Sequence, residues 1–255
     1  PQSRGVSEWI IEEFMILANE TVAELFNDRG LPFVYRIHEE PDAESMMQLK
    51  NYLEALGMNV KLPRNVQPKA LQQILEKTKD HPLHASIERV LVRGMKRAVY
   101  SENNIGHFGL AYESYTHFTS PIRRYPDLLI HRSIKAVLAD GAYRPGDWEQ
   151  IGLHCSMTER RADEATRNVV AFLKCYFMQD RVGEMFTGSV SAVVPFGLFV
   201  ALDDIFIEGL LHISDLGSDY FHYDETRHAL LGERSGKQFR LSDRVKVQLV
   251  RVDMA

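Results

Sequence analysis

The chain has 255 residues, of which 45% are hydrophobic and 25% are charged, so it can bury the core of one large or two smaller domains. This composition excludes a disordered polypeptide, and no eighteen-residue apolar run or charged-then-apolar leader indicates membrane insertion or secretion. The net charge is −5 at pH 7, so the broad basic surface that is typical of nucleic-acid binders is missing.

Helical patterns dominate residues 1–180. The run from Trp9 to Phe26 has helical propensity and apolar residues on more than one side, which predicts a buried helix. A short strand is predicted at 33–37. Three helices with apolar stripes follow, beginning after Asp42, at Pro68 and near Ile87.

Further along the chain, apolar residues at 108, 110 and 112 alternate with smaller ones, which predicts a strand. A long helix is predicted from a cap at Asp147 to about Met178. This helix contains Cys155 and Cys175, and no Cys-x-x-Cys spacing is present, so we expect neither a disulfide nor a zinc site. A reducing, cytoplasmic location is the expectation.

Residues 115–132 combine hydroxyls, two adjacent arginines, two histidines and aromatic side chains around two prolines. Ser120 as N-cap and Pro121 as first helical residue predict a helix that runs to about Ala139. Unpaired N–H groups and the positive end of the helix dipole attract anions, and guanidinium groups match phosphate oxygens two at a time. The predicted phosphate-binding residues are Thr119, Ser120, Arg123 and Arg124. The alternative, equally open from spacing alone, is a solvated helix start with one arginine paired to Asp127.

From Val182 the pattern changes to short segments rich in Val, Ile, Leu and Phe, separated by turn residues. A small β-barrel is the simplest interpretation. The predicted fold class is therefore α+β, with a mostly helical domain at 1–181 and an OB-type barrel at 182–255.

Three separated segments resemble one family. Residues 106–111 together with 115–127 are similar to the signature of the ribonuclease II and ribonuclease R exoribonucleases. Residues 12–19 resemble a helix of the same catalytic domain, and residues 154–165 resemble its long C-terminal helix. The detail is closer to ribonuclease R. The resemblance covers nearly the whole chain and implies that residues 1–181 are the C-terminal portion of an RNB catalytic domain.

The barrel resembles the OB-type RNA-binding domain first named in a ribosomal small-subunit protein, with a closing strand expected beyond Ala255. Aromatic side chains on such a sheet stack on bases of any identity. The positions that match the stacking aromatics and a further polar position are Phe196, Phe199, His212 and Asp253.

The resemblance also assigns roles near the arginines. It aligns Arg123 with the family's catalytic-site arginine, which stabilises charge that develops on the scissile phosphate. Glu12 or Glu13 would hold a ribose hydroxyl and so favour RNA over DNA, with pairing to Arg36 or another structural arginine left open as the alternative. Nucleotide contacts by stacking or hydrogen bonding are predicted for Tyr115, His117 and Tyr125. Packing in the core is the alternative for these three side chains.

In this family, magnesium is held by an aspartate cluster that lies N-terminal to the residues present. No comparable cluster exists in this sequence, and the close acidic pair Asp203-Asp204 is assigned to a turn in the barrel domain. We therefore expect no metal ligands in this chain. The lack of a long apolar run leads us to expect no membrane association.

The implied activity of the parent enzyme is hydrolysis of RNA from the 3′ end to nucleoside 5′-monophosphates, with magnesium as cofactor and single-stranded RNA as partner. The 255 residues alone are expected to be inactive. A non-catalytic RNA-binding adaptor and a protein-binding scaffold remain as alternatives. Proteins of RNA decay or of the ribosome are conceivable partners that the sequence does not identify.

Overall fold

The computed structural model describes residues 5–60, 63, 66–81, 83–203, 205, 207–225 and 227–254. Asp204 lies outside these residues. The chain divides into two compact units, residues 1–40 with 96–164, and residues 41–95 with 165–255. These units are defined by packing. The predicted domain boundary between residues 181 and 182 stays a prediction.

Helices precede two main sheets along the chain, and the predicted α+β fold class is confirmed. In chain order the helices and strands are α1 (Val6–Asp28), β1 (Tyr35–Ile37), α2 (Ala43–Ala55), α3 (Pro68–Thr78), α4 (His84–Arg93), β2 (Val99–Ser101), α5 (Tyr125–Leu138), α6 (Trp148–Met178), β3 (Met185–Val194), β4 (Gly197–Leu202), β5 (Glu208–His212), β6 (Phe221–Asp224), β7 (Ala229–Gly232), β8 (Gln238–Arg240) and β9 (Arg244–Gln248). In the described part of the chain, no helix is both long enough and apolar enough to cross a bilayer.

The first helix is present where it was predicted, but the expectation that it is buried is wrong. Trp9 and Phe14 are 61% and 63% exposed. The buried residues of α1 all lie in its second half, at Asn19, Ala23 and Phe26. Ala23 and Phe26 pack in one cluster with apolar residues of β1 and α5. Apolar composition alone indicated burial of the whole helix, but the buried residues of α1 are confined to its second half.

The segment around Phe108 differs from its prediction. Residues 108–110 form a 3₁₀ helix instead of a strand. The Nδ1 atom of His107 accepts a hydrogen bond from the Leu110 N–H, at 3.2 Å. The Gly109 N–H donates to Nδ1 of His38, at 2.8 Å. A side chain at Gly109 would place its Cβ 2.7 Å from that atom, so the turn depends on glycine at this position.

Helix α5 starts later than predicted. Its N-cap is Arg124, and Pro126 lies in its first turn. The predicted cap, Ser120, instead donates its backbone N–H to the carboxylate of Asp127, at 2.7 Å. Either proline of this region suits a first helical turn, because a proline there loses no intrahelical hydrogen bond. The contacts of Asp127 select the later start.

The predicted starts of α2, α3 and α6 are confirmed, two of them by side-chain caps. Asp42 accepts the Ser45 N–H at 2.7 Å before α2, and Pro68 lies in the first turn of α3. Asp147 accepts the Gln150 N–H at 3.2 Å before α6. A carboxylate in this position satisfies one of the N–H groups that a helix start leaves unpaired.

The second unit contains two antiparallel sheets, with strand orders β5-β4-β3-β9 and β6-β7-β8. Helices α2 and α4 contact these strands and the adjoining loops. The ring of Tyr52 lies edge-on to His228, with 5.2 Å between centroids, and Ser86 is hydrogen-bonded to Ser242 at 2.9 Å. The helices between β1 and β2 therefore pack in the same unit as the barrel strands.

Candidate functional site

The turn before α5 is organised by one buried carboxylate. Asp127 is fully buried, and its Oδ1 atom accepts hydrogen bonds from the Ser120 N–H at 2.7 Å and from Arg124 Nη2 at 2.8 Å. The backbone N–H groups of Arg123 and Arg124 both donate to the Ser120 carbonyl, at 3.3 and 3.0 Å. The ion pair that the sequence left open is therefore present, and it involves Arg124.

The neighbouring arginine has a different environment. Arg123 is exposed, and its guanidinium makes no hydrogen bond or ion pair with any residue that the structure describes. Arg124 is thus paired within the protein, whereas the exposed Arg123 could contact a ligand. Thr119 and Ser120, which were predicted to bind phosphate, are half-buried beside it.

Asn19 of α1 holds the segment that leads to this turn. Its Nδ2 group donates to the Tyr115 hydroxyl at 2.9 Å, and its Oδ1 atom accepts the N–H groups of Phe118 and Thr119 at 2.9 and 3.2 Å. Tyr115 is buried, and its ring stacks on that of Tyr112 with 5.8 Å between centroids. Its position therefore agrees with the packing alternative and not with a nucleotide contact.

His117 lies close to both arginines and is half-buried. Its Nδ1 atom is 2.8 Å from the hydroxyl oxygen of Tyr100. Burial, followed by the nearby guanidinium groups of Arg124 and Arg36, lowers the pKa of His117 to about 3. The imidazole is therefore neutral at physiological pH.

Arg36, the alternative partner of Glu12 or Glu13, pairs instead with Glu159, with 2.7 Å between Nη1 and Oε2. On α1, Glu12 is half-buried and Glu13 is exposed. Burial, Glu20 and then Glu13 raise the pKa of Tyr112, so Glu13 lies within electrostatic reach of the segment that leads to the turn. Among the aromatic candidates, Tyr125 is half exposed at the first residue of α5.

Three predicted residues of the barrel meet at one end of the β4–β5 hairpin. Phe196 is 49% exposed, and its ring lies edge-on to Phe199 with 6.4 Å between centroids. His212 is exposed and pairs with Gly197 across the two strands. A Cβ at Gly197 would lie 2.3 Å from the Leu211 carbonyl oxygen, so only glycine allows the strands to approach here. The fourth predicted residue, Asp253, is exposed and follows β9. Its Oδ2 atom lies 3.4 Å from Nη2 of Arg251.

Metal ligands are not gathered in the described part of the chain. No three His, Cys, Asp or Glu side chains among those residues are placed to hold one metal ion. Asp203, the described member of the acidic pair, accepts hydrogen bonds from Thr187 and Arg244, both at 2.8 Å. The described residues therefore do not fit a magnesium centre.

Sequence reasoning missed Asn19 and Tyr100, which are hydrogen-bonded to candidate residues. Asn19 lies inside the segment that resembles the family, and a polar residue on the apolar side of a helix is a signal that could have identified it. Tyr100 has no such local signal, because its partner His117 is on another element.

Models of known protein families match both parts of this chain. A model described as the RNB domain matches residues 1–140, and one described as the S1 RNA binding domain matches residues 179–255. The chain belongs to the RNB domain family and carries an S1 RNA binding domain, as the resemblance implied.

Curated relatives with the name Ribonuclease R include the protein of Thermotoga maritima, 54% identical over 99% of this chain and 37% of its own length. The Escherichia coli K12 protein is 45% identical over 98% of this chain and 32% of its own length. The chain thus spans about a third of the length of these relatives.

Among solved structures, Mycoplasma genitalium RNase R in complex with ribose methylated single-stranded RNA is 28% identical, with a TM-score of 0.89 over 99% of this chain and 41% of that one. Yeast Ssd1, described as a pseudonuclease, is 26% identical, with a TM-score of 0.68 over 89% of this chain and 29% of that one.

Proposed function

We propose that this chain is part of an exoribonuclease that shortens single-stranded RNA from its 3′ end and releases nucleoside 5′-monophosphates. The observation that carries the proposal is the exposed guanidinium of Arg123, which has no hydrogen-bond or ion-pair partner among the described residues. It lies beside Arg124, which is paired with a buried carboxylate. The Ribonuclease R relatives support it, one of them solved with single-stranded RNA. A cytosolic location and magnesium as cofactor belong to the same proposal.

In this proposal, Arg123 binds two oxygens of the scissile phosphate through its planar fork. A donor that is fixed before the reaction stabilises the charge that develops on phosphate without reorganisation of its surroundings. The contacts of Asp127 supply this rigidity, because they hold both ends of the turn that carries Arg123. Thr119 and Ser120 add polar groups beside the same phosphate.

Two other parts of the chain bind the strand away from the cleaved bond. A carboxylate of Glu12 or Glu13 accepts a hydrogen bond from a 2′-hydroxyl, which DNA lacks. In the barrel, Phe196 and Phe199 stack on bases together with His212. This arrangement binds RNA of any sequence, as a degradative enzyme requires.

The proposal predicts that the 255-residue chain alone leaves RNA intact, because no metal-ligand cluster occurs among its described residues to activate water. The measurement is incubation of the chain with end-labelled single-stranded RNA and magnesium. Loss of substrate to mononucleotides would contradict this prediction.

The positive test uses a chimaera in which this chain replaces the matching segment of Thermotoga maritima ribonuclease R. We expect 3′-labelled RNA to release labelled mononucleotide at once, and 5′-labelled RNA of the same sequence to shorten progressively. DNA of that sequence is the control and should persist. Internal cleavage, or release of mononucleotides from the 5′ end, would refute the proposed direction.

Stacking of bases on Phe196 and Phe199 can be tested by substitution. Phe196→Ala combined with Phe199→Ala should weaken binding of single-stranded RNA to the 255-residue chain by about tenfold or more, because each stacked base contributes about 1–3 kcal/mol. Fluorescence anisotropy measures the affinity. Tyr220→Ala is the matched control, since this tyrosine of the same unit is 69% exposed. Equal affinities of the double variant and the wild type would remove the assignment.

A second candidate function is an RNA-binding adaptor without hydrolysis, which the similarity to the yeast pseudonuclease favours. A chimaera that binds RNA but does not shorten it would select this function. The exposed Arg123 argues against it, because an adaptor has no reacting phosphate to stabilise.

A further inference from the structure

Four elements meet at the side chain of Tyr100 in β2. Its hydroxyl lies 2.8 Å from Nδ1 of His117. The guanidinium of Arg36, in β1, lies over its ring, 4.6 Å from the centroid, and Glu159 of α6 holds that guanidinium at 2.7 Å. The backbone N–H of Tyr100 donates to Ser156 Oγ at 2.9 Å. The phenol is therefore fixed through both its ring and its backbone.

The protonation states of this pair follow from burial. Burial raises the pKa of Tyr100 to about 12, so the phenol keeps its proton at neutral pH. His117 is neutral there, because burial and then the cations around it oppose protonation; those cations are Arg124, Arg36 and Arg123. Between a neutral phenol and a neutral imidazole, the phenol O–H is the better donor and the unprotonated ring nitrogen the better acceptor. Tyr100 therefore donates to Nδ1, and the imidazole proton resides on Nε2.

The remaining ring nitrogen of His117 is Nε2. This atom makes no hydrogen bond within the described residues, and the side chain is half-buried. The rings of Tyr100 and Tyr115 make edge-to-face contacts with the imidazole, at centroid distances of 5.6 and 6.0 Å. A hydrogen bond through Nε2–H is thus what this side chain offers to a ligand.

We propose that Tyr100 is a positioning residue that fixes His117 as a neutral Nε2–H donor, and that this N–H binds a phosphate oxygen of RNA beside Arg123. The identity of the ligand rests on the proposed function. Phosphate oxygens only accept hydrogen bonds, so each added contact requires a donor. A neutral donor suits this place, because an imidazolium would be repelled by the guanidinium groups around it.

The positioning step is tested without RNA. In the 255-residue chain with ¹⁵N-labelled histidine, we expect the NMR shifts of His117 to show one tautomer, with the proton on Nε2. Tyr100→Phe removes the donor and should produce a mixture of tautomers. A wild-type Nδ1–H tautomer, or no change of tautomer in the variant, would overturn the proposal. The spectrum of His117→Asn assigns the resonance.

The ligand step is tested with conservative variants. The amide of glutamine places an N–H near the position of Nε2, whereas that of asparagine reaches only near Nδ1. We therefore expect His117→Asn to weaken single-stranded RNA binding by about three- to tenfold and His117→Gln to retain most of the affinity. Thermal denaturation of each variant checks that it is folded. Equal affinities of His117→Asn and the wild type would overturn this step.

Failure of this inference can be distinguished from failure of the proposed function. If the wild-type chain binds no RNA, the ligand step falls together with that function. The NMR result still decides whether Tyr100 sets the tautomer of His117. If RNA binds with the same affinity to every His117 variant, the proposed function stands and this inference alone is refuted.

Discussion

Arg123→Lys in the chimaera is expected to lower turnover by about 100- to 1000-fold, while RNA affinity falls far less. Lysine keeps the positive charge but loses the planar fork, so it cannot hold two phosphate oxygens in a fixed geometry. The substitution should therefore destabilise the transition state more than the complex with bound RNA. Single-turnover rates at saturating enzyme, compared with dissociation constants measured on uncleavable RNA, separate the two effects.

Two matched variants locate the effect at one guanidinium. Arg144→Lys changes another exposed arginine of the same unit and should leave turnover unchanged. Arg124→Lys alters the arginine that is bound to Asp127, so we expect it to lower the stability of the fold in addition to any loss of rate. Turnover of Arg123→Lys within threefold of wild type would disprove the proposed role.

The difference between these two arginines is information that the sequence does not contain. Both follow the same hydroxyl-rich segment, and either one satisfies the spacing of an ion pair with Asp127. The structure separates them by burial, because Arg124 reaches the carboxylate and Arg123 points to solvent. Side-chain direction in a non-helical turn depends on contacts that the local sequence does not define.

Elements with local causes were predicted well. The starts of α2 and α6 depend on a carboxylate three residues before the N–H that it accepts, and both caps are present. The change from helices to strands near Val182 was also clear from composition. These features need only neighbouring residues, which is why pattern and propensity suffice.

Elements with distant causes were predicted poorly. The 3₁₀ helix at 108–110 depends on His38, which is about seventy positions away in the chain and contacts Gly109. The exposure of Trp9 and Phe14 depends on what packs against α1, and apolar composition alone predicted burial. In both places a tertiary contact, or its absence among the described residues, overrides the local preference.

The candidate site divides its polar groups into two kinds. The first kind makes hydrogen bonds within the protein and comprises Asn19, Arg124 and Asp127. These bonds fix the chain between residue 115 and α5. Arg123 and the Nε2 atom of His117 have no partner among the described residues. A rigid frame that leaves two donors unpaired on one segment is the arrangement expected of an anion site.

The frame itself can be tested at Asp127. Asp127→Ala should lower the free energy of unfolding by about 3–5 kcal/mol, because it leaves the buried charge of Arg124 without its counter-ion and the Ser120 N–H without its acceptor. Asp127→Asn should cost less, about 1.5–3 kcal/mol. Its amide oxygen replaces Oδ1, and its NH₂ group replaces Oδ2, an atom that has no hydrogen-bond partner in the described structure.

Urea denaturation of the 255-residue chain measures both variants. Glu102→Ala, at an exposed bend of the same unit, is the control and should change stability by no more than about 0.5 kcal/mol. In the chimaera, Asp127→Asn should also slow turnover, because the turn that carries Arg123 loses part of its support. If Asp127→Ala is as stable as the control, the carboxylate does not hold this turn, and the rigidity attributed to Arg123 needs another source.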